Sequence, residues 1–479
     1  MHHGPKDDLD LDLDLSSAAL VFRLLRGHGI PAAPTDMLSA FFGGGNNQKA
    51  AKDDMDGLLA LYEASYLAFP GEAAVLDEAR AFAVENLQRR QQAPSFMDAL
   101  PLQWTAPRLR AMWSLRADYC CDDKRIDPAI VQLAKADFNL VQAVHRGELV
   151  KIIKWWKESG LGEKLAFARD RVVESFFCAA CIAPEPHLGE CREVLAKTSA
   201  IIVHLDDIYD LYGTPDELEA FTDAIGRWDN VSAAAAAGAL PEYMKAMYSA
   251  IWKTSVTAAD RVLHKHGYHV LPLYKKAWHD LCKAFLVEAQ WQHQGYRPSF
   301  DEYLTNGWVT STGPLLLLHA LPTITQQPAE IMSMLQVPWN SSGSGSGSGS
   351  GAIEYPRLVE LSSRIFRLCN DCASHQAESE RGDAPSSIAC CMTEMCASEQ
   401  QARAAVQDAI ADTWKELNEE VVVAAAAAGQ WNPCSAESMA NLCLNLARII
   451  HCIYQDGDGI TSPTHRTKQL IKDVLFNPI

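Results

Sequence analysis

At 479 residues and 52.7 kDa the chain can bury two substantial cores, and its 48% hydrophobic content excludes a mostly disordered polypeptide. It holds no run of 18 or more apolar residues, so no transmembrane segment is expected. A formal charge of −18 argues against nucleic acid as a partner and would repel any anionic ligand not met by local cations.

Met1 to Leu15 alternates Asp with Leu and reads as a disordered acidic lead. It lacks the Ser- and Arg-rich, acid-poor composition of a plastid transit peptide. Residues 16–124 read as a helical N-terminal domain, punctuated at Ala68-Phe69-Pro70-Gly71. The charged stretch Asp122 to Asp127 marks the domain boundary, so the second domain is expected over 125–479. Ile130, Leu133, Ala134, Phe138, Val141 and Val144 follow the 3.6-residue period, as do the segments around Ile201 and Leu442, which makes the fold all-α. Arg169 and Arg171, in Arg169-Asp170-Arg171, would point about 200° apart on an ideal helix. They converge on one anion only from a loop or a helix end.

Val203-His204-Leu205 then lead from an apolar helix straight into Asp206-Asp207-Ile208-Tyr209-Asp210. At about 100° per residue Asp206 and Asp210 share a helix face one turn apart, where their charges repel unless a cation sits between them. Trp308 to Pro314 should break a helix, and Ser341 to Gly351 is a Ser/Gly insert behaving as a flexible loop with a span of ~17–20 Å. The alanine runs 233–237 and 424–428 are simple sequence. Downstream, Asn370, Ser374 and Glu378 fall at i, i+4 and i+8 and form one oxygen-rich stripe, three residues after Arg367.

Hard oxygen donors from two helices suit Mg²⁺ or Mn²⁺ rather than zinc. The pairs Cys178-x-x-Cys181 and Cys369-x-x-Cys372 lie within an apolar and a carboxylate motif, and the 14 cysteines as a whole are expected to be reduced. Arginines beside both acidic stretches supply the planar donors that recognise phosphate oxygens.

With these motifs the chain resembles the plant class I terpene synthases, most closely the angiosperm monoterpene synthase group. Asp206 to Asp210 match the family's DDxxD motif, Asn370, Asp371, Ser374 and Glu378 its second metal motif, and Arg169 to Arg171 its RxR motif. Trp155-Trp156-Lys157, Ile182 to Pro186, Tyr212 to Leu218 and Tyr454 to Gly459 extend the likeness over nearly the whole chain from about Ala18. The resemblance implies a class I terpenoid synthase α-helical bundle behind a shortened, α-barrel-like N-terminal domain. It implies three Mg²⁺ or Mn²⁺ ions, with Asp206 and Asp210 holding two and Asn370, Ser374 and Glu378 the third. Asp207 would orient its neighbours. Arg169, Arg171, Arg367 and Arg381 would clamp a prenyl diphosphate, together with Asp206, Asp210 and Asn370, and Tyr454 would sit in the lid region and accept or relay a proton. The break near Trp308 to Pro314 would line the pocket with carbonyls.

The implied activity is that of a monoterpene synthase ionising geranyl diphosphate to an acyclic or cyclic product. Alternatives are a sesquiterpene synthase acting on farnesyl diphosphate, a catalytically impaired isoprenoid-binding relative, and a prenyl-chain condensing enzyme, which would need a second Asp-rich motif. Relatives carry a paired-arginine segment linked to cyclisation that has no counterpart here, and Cys178 stands where they usually have tryptophan. The missing paired-arginine segment points to a linalool- or ocimene-like acyclic product, while Cys178 bears on the aromatic lining that decides between products. A monomer is expected, in the plastid by resemblance and in the cytosol otherwise.

Overall fold

A computed structural model of the chain describes residues 13–42, 46–89, 100–116, 126–228, 240–324, 355–382, 385–427 and 435–479. The Ser/Gly insert, the first alanine run, residues 1–12 of the lead and residues 122–125 of the expected boundary lie outside the described residues. Among the described residues the regular elements are helical and no strand occurs. The helices of eight residues or more run, in order, α1 Leu15–Gly27, α2 Asn46–Asp53, α3 Met55–Ser65, α4 Ala73–Arg89, α5 Pro107–Arg116, α6 Pro128–Ser159, α7 Val172–Ile182, α8 Gly189–Asp207 and α9 Pro215–Gly226. They continue as α10 Glu242–His266, α11 Leu271–Gln294, α12 Phe300–Thr310, α13 Gly313–Ile324, α14 Arg357–Arg381, α15 Ser387–Glu394, α16 Glu399–Ala427, α17 Ser435–Tyr454 and α18 His465–Leu475.

Backbone proximity divides the chain into two units, one within Met1–Gln103 and Lys415–Gly429 and the other within Trp104–Trp414 and Gln430–Ile479. In the first, α1, α3 and α4 pack around Phe22, Leu58, Leu61 and Leu76. Asp14 and Asp54 start α1 and α3 by accepting the amides of Ser17 and Gly57. The turn at Ala68 to Gly71 folds round a buried cation: Arg26 lies 3.4 Å from the Phe69 ring centroid and pairs with Glu72 at 2.6 Å.

In the second unit α7 packs on α8, α8 on α13, α12 on α14 and α14 on α17. Arg192 fixes the start of α8. It is fully buried, donates to the carbonyls of Ala183 and Glu185 at 2.6 Å each and of Pro186 at 3.1 Å, and grips Glu148 of α6 bidentately at 2.7 and 2.9 Å. The Ile182 to Pro186 segment therefore exists to be wound round one guanidinium, a task that a lysine's single nitrogen cannot perform.

At its other end α8 stops at Asp207, and Ile208–Tyr212 continue as a wider π turn closed by the Gly213 amide on the Ile208 carbonyl at 2.8 Å. The ideal α-helical spacing assumed for Asp206 and Asp210 is thus interrupted between them. Gly213 is required there, because a Cβ would sit 2.5 Å from Leu218 Cδ2 and 3.0 Å from the Ile208 oxygen. Thr214 and Glu217 then form a capping box with Pro215 at the first helical position, so this part of the Tyr212 to Leu218 run is accounted for by local chemistry.

The helix break expected at Trp308 to Pro314 is present. Thr310 ends α12, Thr312 takes a left-handed φ of 73°, and α13 begins at Gly313. A left-handed threonine is strained, and such strain persists only where surrounding contacts over-determine it. Gly313 supplies one of those contacts: a Cβ would meet Ser363 Oγ at 2.4 Å, so only glycine lets the break lie against α14.

Candidate active site

A cavity of about 280 Å³ opens among α7, α8, α11, the α12–α13 break, α14 and α17. Its lining combines a charged and polar set, Arg169, Asp206, Asp210, Arg367, Asn370, Glu378 and Arg381, with an apolar set, Ile182, Ile202, Leu316, Phe366 and Ile449, and Cys178 and Tyr454 face the same space. The two acidic stretches, separated by more than 150 residues in sequence, thus meet across one void.

The RxR segment is a loop ending at the start of α7, as convergence demands. Asp207, 1% exposed, organises it: one carboxylate oxygen accepts the Arg169 amide at 2.7 Å and the other lies 2.6 Å from Nη2 of the same residue. Arg169 Nη2 also reaches Asp206 at 2.8 Å, and Nη1 donates to Thr461 Oγ1 at 2.6 Å. Trp156 Nε1 donates to Asp170 at 3.1 Å, so the tandem tryptophans brace the residue between the arginines. Arg171 does not line the cavity. It clasps the C-terminal loop, donating to the carbonyls of Ile460 at 2.7 Å and Thr461 at 2.8 Å. Asp458 shapes that loop by accepting the amides of Ile460 and Thr461.

On α14, Asn370 and Glu378 face the cavity, whereas Ser374 is 3% exposed and its hydroxyl donates back to the Asn370 carbonyl at 2.9 Å. Asp371 is fully buried and points away, accepting the Tyr303 hydroxyl at 2.9 and 3.0 Å and the Ser387 amide at 2.8 Å.

Residues 157–416 match the terpene synthase family's metal binding domain, and residues 1–102 its N-terminal domain. The chain belongs to the terpene synthase family. Its members are carbon–oxygen lyases acting on prenyl diphosphates. Among curated relatives, the chloroplastic alpha-thujene synthase of Litsea cubeba is 39% identical over 99% of this chain and 77% of its own length. The (-)-alpha-terpineol synthase of Vitis vinifera is 38% identical over 97% and 75%. Among solved structures, grey poplar isoprene synthase in complex with three Mg²⁺ ions and dimethylallyl-S-thiolodiphosphate superposes with a TM-score of 0.83 at 36% identity, covering 97% of this chain and 85% of that one. Limonene synthase with 2-fluorolinalyl diphosphate gives 0.85 at 32% identity, over 98% and 82%.

The electrostatics of this terpene synthase suit an ionic ligand. Burial raises the Asp206 carboxyl, Arg169 opposes the rise and Asp207 adds to it, which is the instability a divalent cation would relieve. Among the described residues no three His, Cys, Asp or Glu side chains gather tightly enough to hold an ion by themselves. Asp206, Asp210, Asn370 and Glu378 are oxygen donors in the cavity lining, and an ion held by them would take further oxygens from its ligand, as Mg²⁺ does. Burial also works against the charge on Arg367, yet Tyr303, Glu288, Asp371 and Glu378 outweigh it, and the guanidinium stays protonated. Burial lifts the Tyr454 phenol well above its usual value, with Asp458 adding to the effect, so this hydroxyl keeps its proton at neutral pH. Every cysteine among the described residues is unbridged, and burial pushes the Cys178 thiol up to about 12.

Sequence reasoning passed over Glu288, which lines the cavity from α11. Burial raises its carboxyl against the opposing pull of Arg367. A signal for it exists: Trp278, Leu281, Phe285 and Trp291 mark one buried face of α11, and Glu288 is the acid on that face.

Proposed function

We propose that the chain is a Mg²⁺-dependent monoterpene synthase that ionises geranyl diphosphate. The observation that carries this reading is a single cavity lined both by cationic and acidic side chains and by aliphatic ones. The site, about 280 Å³, lies just below the roughly 300–1,000 Å³ typical of small-molecule pockets, and the monoterpene synthases among the relatives support a ten-carbon substrate. Asp206 and Asp210 would hold two ions, and Asn370, Ser374 and Glu378 a third, Ser374 through the lone pair its hydroxyl keeps free. Bound there, the metal supplies Lewis-acid stabilisation of the departing diphosphate.

The chain's own residues do the rest. Arg169, Arg367 and Arg381 meet the diphosphate oxygens, while Arg171 acts at second hand by holding the loop that carries Thr461. Ile182, Ile202, Leu316 and Ile449 fold the prenyl chain and keep water from the cation. Tyr454 and Phe366, with ring centroids 6.3 Å apart, offer aromatic faces to it. Because burial keeps Tyr454 a neutral phenol, the proton lost at termination passes to one of the anions of the site, the departed diphosphate or a carboxylate that holds no metal.

The chloroplastic names of several relatives support a plastid location. The test is product analysis by gas chromatography with dimethylallyl, geranyl and farnesyl diphosphates offered separately. Turnover of geranyl diphosphate to C10 products is expected; preferential turnover of either other substrate overturns the substrate assignment.

A further inference from the structure

We propose that Glu288 is a positioning residue that acts through the Thr310 hydroxyl to hold Arg367 in place against the diphosphate site. A carboxylate on the buried face of α11 is costly unless polar groups answer it. Its Oε1 accepts the Thr310 hydroxyl at 2.7 Å and the Asn306 amide at 3.3 Å, and lies 3.9 Å from Arg367 Nη2. Thr310 Oγ1 in turn accepts Arg367 Nη2 at 2.6 Å. A guanidinium cannot accept, so Thr310 Oγ1 offers its lone pair to Arg367, and of the two acceptors in reach of its proton the Glu288 carboxylate at 2.7 Å is nearer than the Gly307 carbonyl at 3.2 Å.

The other guanidinium nitrogens are also answered from behind the cavity: Nε donates to the Gly307 carbonyl at 3.0 Å, and Nη1 lies 3.6 Å from Asp371. Gly307 makes room, since a Cβ there would come within 3.2 Å of Arg367 Cγ. Asp206, Asp210 and Glu378 line the same cavity and attract the same cation. Without an anchor the long arginine would lean onto those carboxylates, cancelling charge at the positions assigned to metal. Glu288 thus keeps Arg367 off the metal wall.

The inference rests on the assignment of Arg367 to the diphosphate, and the experiment separates the two. The rise in melting temperature on adding Mg²⁺ with inorganic diphosphate, and the inhibition constant of inorganic diphosphate, are measured for wild type, Glu288→Gln, Thr310→Val, Arg367→Ala and the Glu288→Gln/Arg367→Ala double variant. Glu288→Gln and Thr310→Val should each weaken diphosphate about tenfold, the scale of one charge-assisted hydrogen bond, and raise the Mg²⁺ needed for half-maximal activity. The double variant should be no weaker than Arg367→Ala alone. Wild-type diphosphate binding in Glu288→Gln, or losses that multiply in the double variant, overturns the inference while leaving Arg367's role intact. An Arg367→Ala chain that binds diphosphate like wild type sinks the assignment and the inference together. Should Glu288→Gln melt early without ligand, Thr310→Ser and Thr310→Val repeat the comparison, and equal diphosphate binding by these two overturns the relay.

Discussion

Single side chains decide most of the chemistry, and they differ in how visible they are. Asp206 is legible because an acid after Val203-His204-Leu205 has no other reason to be there. Asp206→Asn should cost several kcal/mol of transition-state stabilisation, the scale of Lewis-acid assistance, while the fold survives; unchanged turnover in a folded variant at saturating Mg²⁺ would remove it from the mechanism. Cys178 faces the cavity as a neutral thiol where the family resemblance leads one to expect an indole. A cation–π contact is worth roughly 0.5–2 kcal/mol, and about 1.4 kcal/mol shifts a partition tenfold. Cys178→Trp should therefore raise the cyclic fraction of the products, read by gas chromatography beside a thermal melt to detect overpacking. A stable variant with the parental ratio would place the aromatic wall elsewhere. Glu288 and the Thr461 partner of Arg169 were illegible for a different reason: their importance lies in contacts 79 and 292 residues distant in sequence (367 − 288 and 461 − 169), which periodicity does not encode.

Among the helices, the ends carry more information than the middles. The stop of α12 at Thr310 follows from Gly313-Pro314, and the start of α9 from Thr214-Pro215, so both could be read from the chain. The π turn at Ile208–Tyr212 could not, because the same residues would also suit an ordinary helix and the choice is made by the Gly213 amide closing on Ile208. Ser374 taught a related lesson: i+4 spacing put it on the right face, but its hydroxyl satisfies itself on its own helix. The break at Thr312 invites a direct perturbation. Gly313→Ala should lower stability by roughly 1–3 kcal/mol and depress activity, through the clash with Ser363 Oγ. Ser363→Ala added to it should restore part of the melting temperature. No loss in Gly313→Ala would mean that the break tolerates more room than its contacts allow.

For the whole molecule the relevant variables are pH, loop length and chain order. His145 and His319 are 0% and 1% exposed, and burial depresses their pKa values to about 3 and about 4, for His145 with help from Arg192 and Arg108. A depressed folded-state pKa means that the unfolded chain takes up the proton first. The stability these residues contribute is therefore present above pH ~6.5 and is lost as pH falls toward 3–4, each adding a slope of up to about 1.4 kcal/mol per pH unit. Replacing His145 by leucine should flatten the fall of melting temperature between pH 6.5 and 4; an unchanged slope would exonerate it. The 341–351 insert, by contrast, should be removable with little effect on melting temperature or products, since loop-closure cost grows only logarithmically with length. Chain order has the last word. The guanidinium of Arg169 is seated by Thr461 and that of Arg171 by Ile460 and Thr461, so both arginines wait for a segment made almost three hundred residues later. During synthesis at about 5–20 residues per second, the first acidic stretch precedes Ile460 and Thr461 by roughly 13–50 seconds. The arginine loop therefore gains its last partners only after residue 461 is made, however early the helices around it have folded.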